Sequence, residues 1–159
     1  MTIQVGDRLP SATLTTMTAE GPKPLTISEL CEGKKVVLFA VPGAFTPTCS
    51  VQHLPGYVEN AQSLKDRGVD AVACVSVNDP FVMGAWGKDR EVGEDLMMLS
   101  DGNGDFTAAI GLEMDGSGFG LGTRSQRYAM IIDDGVVSTL NVDSGPGLDV
   151  SSAETILSE

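Results

Sequence analysis

Two short runs of apolar residues dominate the first half of the chain: KKVVLFAV, which ends at Val41, and VDAVACVSV, which ends at Val77. Both are apolar and β-branched at nearly every position, which is typical of strands covered on both faces. Between them, apolar residues recur every three or four positions from Pro47 to Arg67, which predicts a helix that ends at Gly68. The order strand, helix, strand predicts a parallel crossover.

Two further helices are predicted in the middle of the chain. Asp79 can cap a helix and Pro80 fits its first turn, and apolar residues then continue through Trp86. A shorter helix is predicted from about Phe106 to Ile110.

An antiparallel hairpin is predicted later in the chain, where Asp134 and Gly135 join the strand-like runs RYAMIID and GVVSTLNV. The tail SSAETIL predicts a closing helix capped by Ser151 or Ser152. A parallel crossover followed by a hairpin and a closing helix predicts an α/β fold, a thioredoxin-like three-layer sandwich with a central mixed sheet. With 159 residues, 42% of them hydrophobic, we expect one such domain over residues 1–159.

The charge of the chain is strongly acidic, with 10 Lys and Arg against 22 Asp and Glu. Such a surface repels phosphate backbones and anionic lipids, so we expect neither a nucleic-acid partner nor a membrane partner. The first residues, MTIQVGDRLP, do not have the pattern of a secretion signal, and no apolar run is long enough to cross a membrane. These observations predict a cytoplasmic location.

Three cysteines, an odd number, do not make a disulfide framework, which directs attention to a catalytic role. Cys49 lies in the first turn predicted for the long helix, where unpaired N–H groups stabilise a thiolate. Thr46 stands where a thioredoxin-type C-x-x-C motif would have its first cysteine. A hydroxyl can donate to a thiolate or to an oxygen substrate but cannot close a disulfide, which predicts activation of a single sulfur.

The spacing of Pro42, Thr46 and Cys49, P-x-x-x-T-x-x-C, resembles the peroxidatic signature of the peroxiredoxins. The type II subgroup of this family is similar to the segments VPGAFTPTCS and HLPGY. The resemblance extends over nearly the whole chain through VACVSVNDPFVMGAW and LGTRSQRYAM. The resemblance implies a thiol peroxidase that reduces hydrogen peroxide and alkyl hydroperoxides, with no metal and no organic cofactor.

The resemblance also implies a role for each site residue. Cys49 would attack the peroxide and become a sulfenic acid, Thr46 would hydrogen-bond the sulfur and the peroxide, and Pro42 would shield the pocket. Arg124 would supply the positive charge. Composition supports a special role for this arginine, because Arg124 and Arg127 are the only basic residues after Arg90. We expect Arg127 to form a structural ion pair.

Regeneration of Cys49 leaves several routes open. Cys74, in the second apolar run, is a possible resolving cysteine, and Cys31, at the end of a short helix or turn, is a weaker candidate. Because a thiol in an apolar strand is expected to be buried, direct reduction by glutathione, glutaredoxin or thioredoxin is favoured. The resemblance further suggests a homodimer, for which Phe81, Met83 and Trp86 are candidate contacts; ordinary core packing is the alternative.

The sequence also contains partial patterns of a cysteine protease and of a calcium site. A Cys49–His53 proteolytic dyad has no orienting third group, so a packed or hydrogen-bonded histidine is favoured. The acidic run from Asp101 to Asp105 copies the start of a calcium loop, but lacks its glycine and its final glutamate, and predicts a turn before a helix. A thiol-disulfide oxidoreductase and a redox-sensing or chaperone-like protein remain rival functions.

Overall fold

The computed structural model describes residues 2–145 and 147–158. A seven-stranded mixed sheet lies at its centre, with the strand order β2-β1-β5-β4-β3-β8-β9, and β6 and β7 pair separately. The strands are β1 Thr13–Thr18, β2 Gly21–Thr26, β3 Lys35–Ala40, β4 Ala71–Ser76, β5 Met97–Ser100, β6 Glu113–Asp115, β7 Thr123–Ser125, β8 Tyr128–Asp133 and β9 Val136–Val142. The α-helices are α1 Ile27–Cys31, α2 Leu54–Asp66, α3 Pro80–Asp89, α4 Asp105–Ile110 and α5 Ala153–Leu157.

The two apolar runs form the central strands β3 and β4, which pair in parallel, as predicted. β8 pairs antiparallel with β3 on its other side, and β9 follows β8 through the Asp134–Gly135 turn. The mixed sheet and its covering helices confirm the predicted thioredoxin-like α/β fold.

Both faces of the sheet are covered, which gives the three layers. Along β3, Val36 and Leu38 pack on one face with α1 and α4, whereas Val37 and Phe39 pack on the other with α2, α3 and α5. This alternation follows from the two-residue period of a strand. The sequence therefore shows no alternation of polar and apolar residues there, because both faces are buried.

Five strands were not predicted: β1, β2, β5 and the three-residue strands β6 and β7. β1 and β2 form a hairpin whose outer strand contains Pro22 and Pro24, which a sheet accepts at its edge. β5 has only four residues and pairs with both β4 and β1. Short length and proline content remove the periodic signal on which prediction from sequence depends.

The helix predicted from Pro47 to Arg67 begins as a π-helix, Cys49–His53, and continues as α2. The N–H of Leu54 bonds to the carbonyl of Cys49, five residues back. Pro55 explains the wider turn, because it has no N–H to donate and its ring clashes with the carbonyl four residues earlier. The turn buries Cys49, Ser50 and His53.

Side-chain carboxylates start two of the helices. Asp79 accepts from the N–H of Val82 at 2.8 Å and caps α3, as predicted. The buried Asp101 carboxylate accepts from the N–H groups of Phe106 and Thr107 and from the Thr107 hydroxyl. The calcium-like run is therefore a helix cap.

Across residues 2–145 and 147–158, no three His, Cys, Asp or Glu side chains are grouped to hold a metal ion, and no helix could span a membrane.

Candidate active site

Cys49 lies at the carboxyl end of the central strand β3, where the chain turns back through residues 42–46, here called the catalytic loop, before the π-helix begins. Its side chain is fully buried, in the same core cluster as Phe39 and Leu54. The strand and the helix turn together hold the sulfur in one place. A buried thiolate needs a compensating partner, because burial removes the water that would solvate its charge.

Arg127 provides that partner. It immediately precedes β8, and the pairing of Tyr128 with Ala40 brings it beside the end of β3. Its Nη2 donates to Cys49 Sγ at 3.2 Å, and the arginine is itself buried, with 4% of its surface exposed. Its Nε has no hydrogen-bond partner among the described residues. A guanidinium in this position can stabilise negative charge on the sulfur, and its Nε–H is left without a partner among the described residues.

His53 holds this arginine in place. Its Nδ1 accepts from Arg127 Nη1 at 2.9 Å, and its Nε2 lies 3.1 Å from the carbonyl of Ser151, which can only accept. The proton must therefore be on Nε2. Burial and then the charge of Arg127 lower the pKa of His53 to about 3, so the imidazole is neutral at physiological pH. A base bonded to Arg127 in this way is not the base of a proteolytic dyad.

The Ser151 carbonyl is fixed from the other side of the site. It also accepts from the Tyr57 hydroxyl at 2.8 Å, and the Ser151 hydroxyl donates to the Asp143 carboxylate. The Asp143 N–H donates to the carbonyl of Arg127 at 2.9 Å. The bonds thus form a closed circuit from Arg127 through His53, Ser151 and Asp143 back to Arg127, which restricts the motion of the guanidinium.

The catalytic loop brings together the other predicted residues. Pro42 is buried, and the Thr46 hydroxyl donates to the carbonyl of Gly43 at 2.6 Å. Arg124 Nε donates to the carbonyl of Leu121 at 2.9 Å. A Cβ on Gly43 would lie 3.1 Å from Thr46 Cγ2 and 3.3 Å from Arg124 Nη1, so the loop and this arginine are in close contact. Arg124 therefore borders the loop, whereas Arg127 bonds the sulfur.

Arg127 and His53 are the site residues that sequence reasoning assigned to other roles. Instead of the predicted ion pair, Arg127 bonds Cys49 and His53. Arg124 and Arg127 are the last two basic residues of the sequence and lie three positions apart. Composition alone therefore does not decide which of them contacts the sulfur. The register of β8 on β3 decides between them.

The other two thiols differ in their relation to Cys49. Cys74, on β4, is fully buried in the same core cluster, and burial holds its pKa well above the usual range. Cys31 lies in the cluster on the opposite face of the sheet, and burial raises its pKa to about 11. Both thiols are protonated at neutral pH, which makes them poor nucleophiles. A resolving role for Cys74 stays a prediction.

Comparison with known proteins gives the family. The redoxin family model matches residues 4–157. Peroxiredoxin-2E of Arabidopsis thaliana is 52% identical over 98% of this chain and 68% of its own length, and peroxiredoxin-2E-2 of Oryza sativa is 56% identical over 98% and 72%. The structure of reduced Prx3 of Vibrio vulnificus in complex with hydrogen peroxide is 60% identical over 98% of each chain, with a TM-score of 0.94. The chain belongs to the peroxiredoxins.

Membership of the peroxiredoxins confirms the predicted enzyme class: the chain is a thiol peroxidase, an oxidoreductase. The predicted cytoplasmic location is contradicted, since the relatives at 52% and 56% identity are both chloroplastic proteins. Acidic composition does not distinguish the cytoplasm from a plastid.

The buried neutral histidine of this peroxiredoxin predicts a specific pH dependence of stability. The unfolded chain takes up a proton on His53 near the usual pKa of 6.5, whereas the folded chain resists protonation down to about 3. Between these values the unfolded state binds more protons, so His53 should lower the free energy of unfolding by up to about 1.4 kcal/mol for each unit that the pH falls. Urea unfolding of the parent and of His53→Gln at pH 4 to 7 measures this slope as the difference between the two curves, because the carboxyl groups titrate in both. Parallel curves would show that His53 is not held neutral.

Proposed function

We propose that Cys49 reduces hydrogen peroxide and alkyl hydroperoxides, with Arg127 as the group that stabilises both the thiolate and the transition state. The observation that supports this most directly is the 3.2 Å contact between Arg127 Nη2 and Cys49 Sγ inside a buried site. A fixed positive charge in a dry site is worth more than the same charge in water, and it needs no rearrangement during the reaction.

The first step oxidises the sulfur. The Cys49 thiolate attacks the terminal oxygen of the peroxide, a sulfur–oxygen bond forms, and the O–O bond breaks. The electron pair of the broken bond leaves with the second oxygen, which takes up a proton and departs as water or an alcohol. Cys49 becomes a sulfenic acid. The free Nε–H of Arg127 is suited to the oxygen on which negative charge develops.

The catalytic loop would complete the peroxide pocket. The Thr46 hydroxyl donates its hydrogen bond to the carbonyl of Gly43, so the hydroxyl oxygen can accept a hydrogen bond from a peroxide. Pro42, buried beside it, would exclude water. Arg124, whose Nη1 faces Gly43, would add positive charge at the rim of the pocket. These residues need no metal and no organic cofactor.

Cys49→Ser is expected to abolish peroxide consumption, because a serine hydroxyl is not ionised by the same surroundings. Cys31→Ser is the matched control, since it changes a buried thiol on the other face of the sheet, and should retain most of the activity.

Arg127→Ala should slow the oxidation of Cys49 about 100-fold or more. Arg124→Ala should slow it less, about tenfold, because Arg124 borders the loop.

These rates can be followed by stopped-flow fluorescence. The single tryptophan, Trp86, donates through Nε1 to the hydroxyl of Ser50, next to Cys49, and so reports on the site. Oxidation of Arg127→Ala at the parental rate would contradict the proposed role of Arg127. A 100-fold loss in Arg124→Ala alone would transfer that role to Arg124.

We propose that an external thiol, glutathione followed by glutaredoxin, returns Cys49 to its reduced form. Glutathione attacks the sulfenic sulfur, a disulfide bond forms and water leaves; a second thiol then attacks that mixed disulfide and releases the Cys49 thiolate. The raised pKa of Cys74 supports this route, because a protonated buried thiol competes poorly with thiolate from solution.

Cys74→Ser is therefore expected to keep full activity with glutathione and glutaredoxin. Mass spectrometry of the peroxide-treated parent with glutathione should show a transient adduct of about 305 Da on Cys49. A disulfide between Cys49 and Cys74 in peptide maps, together with loss of turnover in Cys74→Ser, would show that Cys74 is the resolving residue.

We further propose that two copies of the chain pair through the surface around the active site. Of the predicted contacts, Met83 and Trp86 are buried in the core, and Phe81 remains exposed. Phe45 in the catalytic loop is 51% exposed, and Phe119, five residues before Arg124 in the chain, is 89% exposed. Exposed aromatic side chains of this kind are typical of the centre of a protein interface, and a second copy presents the same residues.

Phe119→Glu in combination with Phe45→Glu should convert the dimer to a monomer, because a charge at the centre of an apolar interface has no partner. Sedimentation velocity measures the change. Val5→Glu is the control, since Val5 is 60% exposed and lies toward the opposite end of the sheet, near β9's first residues. A monomeric parent would contradict the pairing.

A further inference from the structure

The catalytic loop has an unfavourable backbone conformation at Phe45, which contacts outside the loop have to stabilise. Phe45 has a φ of 65°, in the left-handed region that a bulky residue rarely adopts. The ring of Phe45 is half exposed, and its centroid lies 6.4 Å from that of Trp86, so packing holds it weakly. Something outside the loop has to stabilise this conformation.

A hydrogen bond to Asn78 does so. The N–H of Ala44, between Gly43 and Phe45, donates to Asn78 Oδ1 at 3.0 Å. Because the backbone N–H is a donor, the atom that faces it must be the amide oxygen, which settles the orientation of the Asn78 side chain. The same oxygen accepts from the Ser76 hydroxyl at 2.7 Å.

Asn78 is itself tied to the rigid part of the sheet. Its carbonyl accepts from the Ser100 hydroxyl, and Ser76 and Ser100 are partners in the β4–β5 pairing. Both serines are buried. The Ser76 hydroxyl also lies 3.0 Å from the carbonyl of Val41, where the loop leaves β3. Hydroxyl groups at the carboxyl ends of β4 and β5 thus hold Asn78 at two points, Ser76 at the side-chain oxygen and Ser100 at the main-chain carbonyl.

We propose that Asn78 is a positioning residue for the peroxide reaction. Its Oδ1 holds the Ala44 N–H, and through the bond between the Thr46 hydroxyl and the Gly43 carbonyl it sets the place of that hydroxyl in the loop that precedes Cys49. Among the described residues, the hydrogen bonds of Asn78 go to Ala44, Ser76 and Ser100 and none goes to Cys49 or Arg127, so Asn78 acts on the pocket for the peroxide and not on the thiolate. This inference rests on the proposed role of the catalytic loop in binding peroxide.

Asn78→Ala removes the acceptor and should lower the rate constant for oxidation of Cys49 by hydrogen peroxide about tenfold. The rate of alkylation of Cys49 by iodoacetamide depends on the thiolate and on access to the sulfur, but not on hydrogen bonds to a peroxide, and should stay within about twofold of the parent. The ratio of the two rates is the decisive readout, because general loosening of the fold would change both.

Two further variants sharpen the test. Asn78→Asp keeps an acceptor oxygen for Ala44 and Ser76, and should restore the ratio to within about threefold of the parent. Asn60→Ala is the matched control: Asn60 donates to the carbonyl of Gly56 within α2, away from the loop, and the ratio should not change. If Asn78→Ala fails to fold, Ser76→Ala, which removes one support of the same oxygen, takes its place and should lower the ratio two- to fivefold.

A parental ratio in Asn78→Ala, or in Ser76→Ala where that variant replaces it, would overturn the role of Asn78. An equal fall in Asn78→Asp would also overturn it, since the acceptor would then be irrelevant. A parent protein that does not react with peroxide at all, although iodoacetamide alkylates it, would contradict the peroxidase reaction itself, which separates the two failures.

Discussion

The site depends on one buried contact, between the guanidinium of Arg127 and the sulfur of Cys49. A thiolate removed from water is costly unless an opposite charge lies against it, and a buried guanidinium has the same need. The sulfur and the guanidinium therefore each lower the free-energy cost of burying the other. The geometry has to be maintained, because a small displacement would leave the buried guanidinium without the sulfur as its partner.

Much of the surrounding structure maintains that geometry. His53, kept neutral by burial, accepts from Arg127 Nη1 and leaves Nη2 for the sulfur of Cys49. The π-turn that Pro55 imposes buries Cys49 and His53 together, on the side of the helix that faces the core. The circuit through Ser151 and Asp143 closes on the backbone of Arg127, so the C-terminal part of the chain supports a contact at the centre of the sheet.

The mixed sheet supplies both halves of the site. Its parallel strands β3, β4 and β5 end at one edge, where the catalytic loop, Asn78 and Asp101 follow them, which is where such sheets place their functional residues. The antiparallel strand β8 enters from the same edge and begins with Arg127 directly before it. Nucleophile and cation therefore come from strands that run in opposite directions and meet at this edge.

The sequence by itself determined the central strands, the helix cap at Asp79 and the Asp134–Gly135 hairpin, and it singled out Cys49 as the candidate nucleophile, because each depends on residues close together in the chain. It left the cap of the closing helix open between Ser151 and Ser152, and the structure shows Ser152. The family and the thiol peroxidase activity also followed from the sequence, through the motif from Pro42 to Cys49 and the similar segments along nearly the whole chain. The tertiary structure alone decided that Arg127 and not Arg124 bonds the sulfur, that His53 serves the arginine, and that Asn78 supports the loop. These contacts join residues 34 to 78 positions apart, and strand register and burial, which no local pattern records, bring them together.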